Sequence, residues 1–262
     1  MPLPLLWCLL LCLVMATNVP PVEAQSAAPT HNGAAKDPFA DDTVDESDLA
    51  ENSAESSNQP PLLEVSDPLE RYNRGIFWLN DKFYFYLLKP VAKTYRYVPE
   101  GVRVSISNVF SNLTSPIRLV SSLLQGDINK AGNELGRFMI NTTVGIGGLF
   151  DPARQYAGLR KREEDIGQAL GRYGLKPGIY IVWPIIGPSN LRDSFGSAGD
   201  AFLDPSRLIW RGESYWAARS FNVVNTVSLD KETYENIKRS AFDPYLFIRD
   251  AYIQSRAQLI AE

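Results

Sequence analysis

Residues 67–90 read DPLERYNRGIFWLNDKFYFYLLKP. Asp67, Pro68 and Glu70 stand where a helix N-cap, its first-turn proline and the acidic partner of a capping box belong. Behind them Leu69, Tyr72, Ile76, Leu79, Phe83 and Tyr86 recur at intervals of three and four, the spacing of one helical face. Phe77, Trp78, Tyr84, Phe85, Leu87 and Leu88 cover the rest. A helix apolar nearly all round is either buried on every side or in contact with lipid. Phe77, Trp78, Phe83, Phe85 and Leu88 are therefore the candidate membrane-contacting residues, and Pro90 is expected to end or kink the helix.

The segments that follow extend the helical reading. Ile106, Val109, Phe110 and Leu113 form one stripe, and Ile117, Val120 and Leu124 form another that is expected to face inward and to stop at Gly126. Asp127 should cap a helix carrying Ile128, Ala131, Leu135, Phe138 and Met139, and Asp243-Pro244 should cap a last one through Tyr245, Ile248, Tyr252 and Leu259. Ile179 to Pro188 is an apolar run broken by proline. No alternating run is long enough to predict a sheet and no repeat is visible, so the fold class is mainly α. After residue 66 no segment reaches bilayer-spanning length free of charges. Short, aromatic, apolar helices of this kind suit a protein embedded in one leaflet or docked beside a membrane protein, and an ordinary aromatic core would give the same pattern.

Upstream, Met1–Ala16 is almost wholly apolar, too short to span a bilayer and suited to the h-region of a secretory signal. Val22-Glu23-Ala24 supplies the small residue before a cleavage site, giving a signal peptide over 1–24. The cysteines are Cys8 and Cys12; Trp7 and Leu11 precede them where a lipid-attachment site wants a small residue, so the mature chain is expected to be unlipidated. Residues 25–66 are acidic, poor in aromatics and rich in Ser, Ala, Asn and Pro, which predicts a disordered tether. Residues 1–66 carry one lysine against ten acids, or −9, whereas 67–262 carry 25 basic against 20 acidic residues, or +5. The overall charge of −4 thus hides a mildly basic domain, which suits either anionic lipid headgroups or a plain solvated surface.

Chemistry-bearing patterns are few. The single His31 lies in the acidic stretch, and the cysteines lie within the first twelve residues. Histidine triads and His-rich metal sites are therefore nearly excluded, removal of the N-terminal end would exclude thiol catalysis, disulfides and zinc-cysteine clusters as well, and no cofactor or nucleic-acid motif is present. Gly145-x-Gly147-Gly148 follows a helix and lacks the spacing of a dinucleotide fingerprint. As an apolar glycine turn, Gly145, Ile146, Gly147, Gly148 and Phe150 form either a hinge able to pass acyl chains or a plain helix stop. Glu163-Glu164-Asp165 reads as solvated surface with Asp165 as an N-cap. A carboxylate-dependent hydrolase would have to rely on Asp151 and Asp193, and a purely structural envelope protein is the third alternative.

Taken in order, Asp67-Pro68-Leu69-Glu70-x-x-Asn73-Arg74, Lys89-Pro90-Val91-Ala92, Asn108-x-x-x-Asn112-Leu113, Leu124-Gln125-Gly126-Asp127, Arg137-Phe138-x-x-Asn141-Thr142, Gly145-x-Gly147-Gly148-x-x-Asp151, Gly167-Gln168-x-Leu170-Gly171-x-Tyr173-Gly174, Pro184-x-x-Gly187-Pro188-Ser189-x-x-Arg192-Asp193 and Asp243-Pro244-Tyr245-x-x-x-Arg249 resemble the MlaA/VacJ family across nearly all of 67–262. The resemblance implies a ring-like helical assembly lying in one leaflet of the outer membrane, with a central amphipathic channel. It implies removal of mislocalised phospholipid from the outer leaflet, without covalent chemistry or cofactor. The implied partners are a trimeric outer-membrane porin and a soluble periplasmic lipid carrier.

Overall fold

A computed structural model describes residues 67–262; the expected signal peptide (1–24) and acidic tether (25–66) lie outside the described residues. The described chain is mainly α, as expected. Helix α1 (Glu70–Phe83) runs through a π-helical turn, Tyr84–Leu88, into α2 (Lys89–Tyr95). Pro90 therefore neither ends nor breaks the run. The Lys89 amide reaches back to the Tyr84 carbonyl, and that wider turn absorbs a residue with no N–H to give. At the other end α1 begins at Glu70 without a side-chain cap. Asp67 does not cap it: its carboxylate accepts from Asn73 Nδ2 at 2.8 Å and from the Tyr245 hydroxyl instead.

Helices α3 (Glu100–Leu113), α4 (Ser115–Leu124) and α5 (Ile128–Thr143) follow, then the short α6 (Pro152–Ala157) and α7 (Ile166–Arg172). Asp127, Asp151 and Asp165 cap α5, α6 and α7 through their carboxylates. Next comes an antiparallel hairpin, β1 (Tyr180–Trp183) and β2 (Gly187–Asn190), with Tyr180 opposite Asn190 and Trp183 opposite Gly187. This hairpin corrects the expectation of no sheet. Four-residue strands are too short to show alternation, and part of their pairing comes from a helix. Asn73 of α1 donates to the Tyr180 carbonyl at 3.2 Å and accepts from the Val182 amide at 2.8 Å. Two turns on, Asn80 donates to the Trp183 carbonyl and accepts from the Ile185 amide. The chain closes with α8 (Leu191–Leu203), α9 (Ser206–Ile209), α10 (Glu213–Leu229), α11 (Thr233–Ser240) and α12 (Pro244–Ala261). Helices α7 and α8 cross on glycine: a Cβ on Gly196 would run into the Gly167 backbone.

The one conventional apolar core among the described residues is small. Tyr180, Val182 and Tyr245 pack with Ile76, Phe77, Leu246, Tyr252 and Ile253. Elsewhere the usual arrangement is reversed. Among the described residues 25 polar or charged side chains are buried, against nine apolar ones, while 33 large apolar side chains are exposed. Soluble proteins bury their leucines and expose their arginines. Here Lys130, Glu134, Arg137 and Asn141 point in from α5, and Ile128, Leu135 and Met139 point out. In α4, Ser115, Arg118, Ser121 and Ser122 are buried while Leu123 and Leu124 are exposed, and Ile117 and Val120 are only half-buried. The helical periodicity of both is as expected; the inward face is the polar one, which corrects the expected inward orientation of Ile117, Val120 and Leu124 in α4.

Candidate functional site

The polar interior is a set of closed ionic networks. Glu134, fully buried, accepts from Arg118 Nε at 2.9 Å and lies 4.0 Å from Arg137. Arg137 continues to Asp151 at 3.1 Å, whose other oxygen accepts from Asn141 at 2.9 Å. Beside them Lys130 meets Glu164 at 2.7 Å, and Gln125 donates to the same carboxylate. Glu164 is thus buried, not solvated, and only Asp165 keeps its expected capping role. Asp165 and Asp193 are bridged by Arg256, whose guanidinium makes four bonds of 2.6–3.0 Å to them. Arg192, Asn190 and Tyr252 complete the shell around Asp193.

These environments bear on the hydrolase alternative. Burial pushes the Asp151 and Asp193 carboxyls up, but their hydrogen bonds and arginine neighbours prevail and hold both below the ordinary carboxylate range. A general acid needs the opposite shift. The two aspartates also sit in separate networks, Asp151 with Arg137 and Asn141, Asp193 with Arg192 and Arg256. Asp200 is the exception. Burial and the Asp165 charge push it up to about 7, and only the Ile166 amide bonds its carboxylate. Its second oxygen is buried without a partner, which fits a protonated helper of the α7–α8 crossing better than an open catalytic acid.

The glycine turn after α5 is built and pinned. Ile146, Gly147 and Gly148 all hold positive φ, at 54°, 69° and 96°. Left-handed backbone is strained for a β-branched residue, so Ile146 is an outlier, and its side chain is 64% exposed. Val144, Leu149 and Phe150 are exposed with it. Gly145 is different: its φ is ordinary, but a Cβ there would meet the Asn141 and Phe150 carbonyl oxygens at 2.5 and 2.6 Å. Gly148 lies against Asn112 of α3, where a Cβ would stand 2.6 Å from the Asn112 Cβ. Asn112 also donates to Thr142 Oγ1 at 3.0 Å, and Asn108 to the Leu149 carbonyl at 3.4 Å. The base of the turn is therefore fixed, and its apolar tip projects outward.

The aromatic helix divides differently from expectation. Trp78 is 61% exposed, and Tyr86 and Leu87 are exposed with it. Phe77, Phe83, Phe85 and Leu88 are half-buried. Phe77 packs edge-on against Tyr245 at 5.8 Å, and Phe85 lies against Tyr84 and Tyr234 with the Lys238 ammonium 4.8 Å over its ring. Trp78 alone of the five candidates projects fully. Sequence patterning overlooked the ionic residues Arg118, Lys130, Glu134 and Arg256. A signal existed: Lys130, Glu134, Arg137 and Asn141 recur at 4, 3 and 4, a helical stripe in polar residues. No helix of the described residues is long and apolar enough to cross a membrane, and they hold no cluster of potential metal ligands.

Comparison with known proteins gives one consistent answer. The family model described as MlaA lipoprotein matches residues 65–259. The Escherichia coli K12 protein named intermembrane phospholipid transport system lipoprotein MlaA is 34% identical over 195 residues, covering 72% of this chain and 76% of that protein. Its Haemophilus influenzae counterpart is 32% identical, covering 77% and 82%. The solved structure reported as "Structural basis for maintenance of bacterial outer membrane lipid asymmetry" contains a chain that superposes with a TM-score of 0.67 at 33% identity, covering 74% of this chain and 99% of that one.

Proposed function

Because the chain belongs to the MlaA lipoprotein family, we propose that it is a phospholipid-transport component of the outer membrane that helps keep the two leaflets different. The observation that carries this reading is the reversed burial. An exterior of exposed leucine, isoleucine, phenylalanine and tryptophan around an ionic interior is costly in water and favourable among acyl chains. Contact with one leaflet, without crossing the bilayer, suits short helices of this kind. In the full proposal the helices form a ring-like assembly in the inner leaflet around an amphipathic channel. Mislocalised phospholipid leaves the outer leaflet through it and passes to a soluble periplasmic carrier, with a trimeric porin as membrane partner.

In this reading the exposed Ile146, Leu149 and Phe150 of the turn touch passing acyl chains, a role supported by their exposure, and Trp78, Tyr86 and Leu87 give the aromatic helix an outward apolar side. The work is physical movement of lipid, and the low-lying Asp151 and Asp193 carboxyls are structural anchors. Export by cleavage after Ala24 places the mature, unlipidated chain at the periplasmic face of the outer membrane; intact-mass measurement showing a diacylglyceryl cysteine contradicts that route. The function itself is tested in two ways. Purified protein extracted and analysed by mass spectrometry is expected to carry phospholipid, and cells lacking the gene are expected to accumulate phospholipid on their surface. Protein free of lipid, together with an unchanged cell surface, overturns the proposal.

A further inference from the structure

Between α9 and α10 lies an open groove of about 360 Å³, lined by Arg207, Trp210, Arg211, Gly212, Tyr215 and Trp216. Its construction is specific. Tyr215 is buried and donates its hydroxyl to Asp204 at 3.1 Å, which fixes the floor. The Arg207 guanidinium lies 5.3 Å over the Tyr215 ring. Trp210 is held by stacking on Phe110 at 5.9 Å, and Trp216 stands edge-on to Tyr215 at 5.1 Å. Among the described residues neither Arg207 nor Arg211 forms an ion pair: Glu213, the acid nearest Arg211 in sequence, is exposed, and Asp204, three residues before Arg207, is engaged by the Tyr215 hydroxyl and by Arg219. Gly212, with φ 58°, lets the chain turn sharply and leaves the α10 N-terminus uncapped by any side chain.

The surroundings say which anion fits. Leu208 and Ile209, in the same single-turn helix as Arg207, are 76% and 58% exposed, and Phe202 and Leu203 are exposed just upstream. Guanidinium groups flanked by indoles, directly beside bare aliphatic side chains, are the arrangement of a headgroup-level site. We infer that this groove holds the phosphodiester of a phospholipid: Arg207 and Arg211 grip its phosphate oxygens, Trp210 and Trp216 line the glycerol region, and the acyl chains lie along Leu208 and Ile209. Planar, forked guanidinium suits phosphate, and charge-assisted bonds are the strong ones. This site rests on the phospholipid-transport reading and deepens it by giving the headgroup a place to bind.

The test uses the full mature chain with Trp78→Phe and Trp183→Phe, so that fluorescence reports only on Trp210 and Trp216. Soluble dihexanoylphosphatidylglycerol, phosphate-free dihexanoylglycerol and inorganic phosphate are titrated separately. The phospholipid is expected to bind, with the other two at least about tenfold weaker, and Arg207→Gln with Arg211→Gln to weaken it by about tenfold or more. The paired Arg→Lys variant, which keeps charge but loses the fork, is expected to fall between, and circular dichroism and melting verify that each variant folds. Equal binding of the glycerol lipid makes the groove merely apolar, and equal binding of inorganic phosphate makes it a free-anion site; either overturns the inference. Unchanged phospholipid binding in the glutamine variant also overturns it, and leaves the transport reading standing if that variant still co-purifies with phospholipid. A wild-type protein that binds and carries no phospholipid removes both.

Discussion

The α4–α5 pair and the corner where β1 meets α12 are built on opposite principles. At the corner, Tyr180, Val182 and Tyr245 are buried and Phe77 packs edge-on against them, as in any soluble domain. In α4–α5, Arg118, Glu134, Arg137 and Lys130 are buried, and Leu123, Leu124, Leu135 and Met139 face out. The corner excludes water from apolar groups. The helix pair excludes its surroundings from charged groups, which is the sensible order where the surroundings are hydrocarbon. Burying so many ions is tolerable only because each has partners. Glu134 is flanked by two arginines, and Asp193 is bonded by Arg192, Arg256, Asn190 and Tyr252.

The contrast can be broken at several points. The largest effect is expected from Glu134→Ala, which leaves the buried Arg118 without its carboxylate while Arg137 keeps Asp151, and should cost about 3–5 kcal/mol of stability in a thermal or denaturant melt. A wild-type melt would mean that the ionic interior does not hold the pair together. A pH series should show the next effect. Because Asp200 is raised to about 7 when folded, the native state binds its proton more tightly than the unfolded chain. That stabilisation is fully present below the unfolded value of about 4 and is lost as pH rises through about 7. Asp151 and Asp193 shift the other way, so their contribution disappears as pH falls below about 4. Melting temperature should therefore peak under mildly acidic conditions, and Asp200→Asn should flatten the decline on the alkaline side.

Smaller effects separate the two faces and the turn. At the corner, Val182→Ala should cost about 2 kcal/mol in detergent and in vesicles alike. At the turn, Gly147 has open space and positive φ, so Gly147→Ala should cost only about 1–2 kcal/mol. Gly145→Ala should cost more, since its Cβ would press on two backbone oxygens. Surface phospholipid measured against protein level in the same cells then tests the hinge: Gly147→Ala should raise surface phospholipid at normal abundance. Strict proportionality between the two would reduce the turn to a helix stop. The smallest stability change, within about 0.5 kcal/mol in detergent, is expected for Leu135→Ser with Met139→Ser. The same pair should nevertheless weaken partition into phosphatidylglycerol-containing vesicles, because each loses about 1.5–3 kcal/mol of apolar transfer.

How much of this was legible from residues alone follows from what periodicity measures. A 3-4 spacing identifies a helix whichever way its apolar face points, so α3, α4, α5 and α12 were readable and the direction of α4 and α5 was not. Only the medium decides that direction. The caps at Asp127, Asp165 and Asp243 were readable because capping is local chemistry within three residues. Asp67 imitated a cap while serving a contact with Tyr245, far away in the chain. The hairpin was hidden because Asn73 and Asn80, on a helix more than a hundred residues earlier, supply part of its bonding. The glycine turn was located correctly, but only three-dimensional placement distinguishes the crowded Gly145 from the left-handed Gly147.

The central claim is that the outward face of α5 meets acyl chains. Spin labels on single cysteines answer it, since Cys8 and Cys12 lie within the expected signal peptide and the mature chain then has no other thiol. With the protein in phospholipid nanodiscs, labels at Leu135, Met139 and Trp78 are compared with one at Gln254, an exposed polar position on α12. Power-saturation measurements are expected to show the first three relaxed mainly by oxygen, which concentrates among acyl chains, and Gln254 relaxed mainly by a water-soluble nickel chelate. Nickel-dominated relaxation at Leu135 and Met139 would place that face in water and contradict the account.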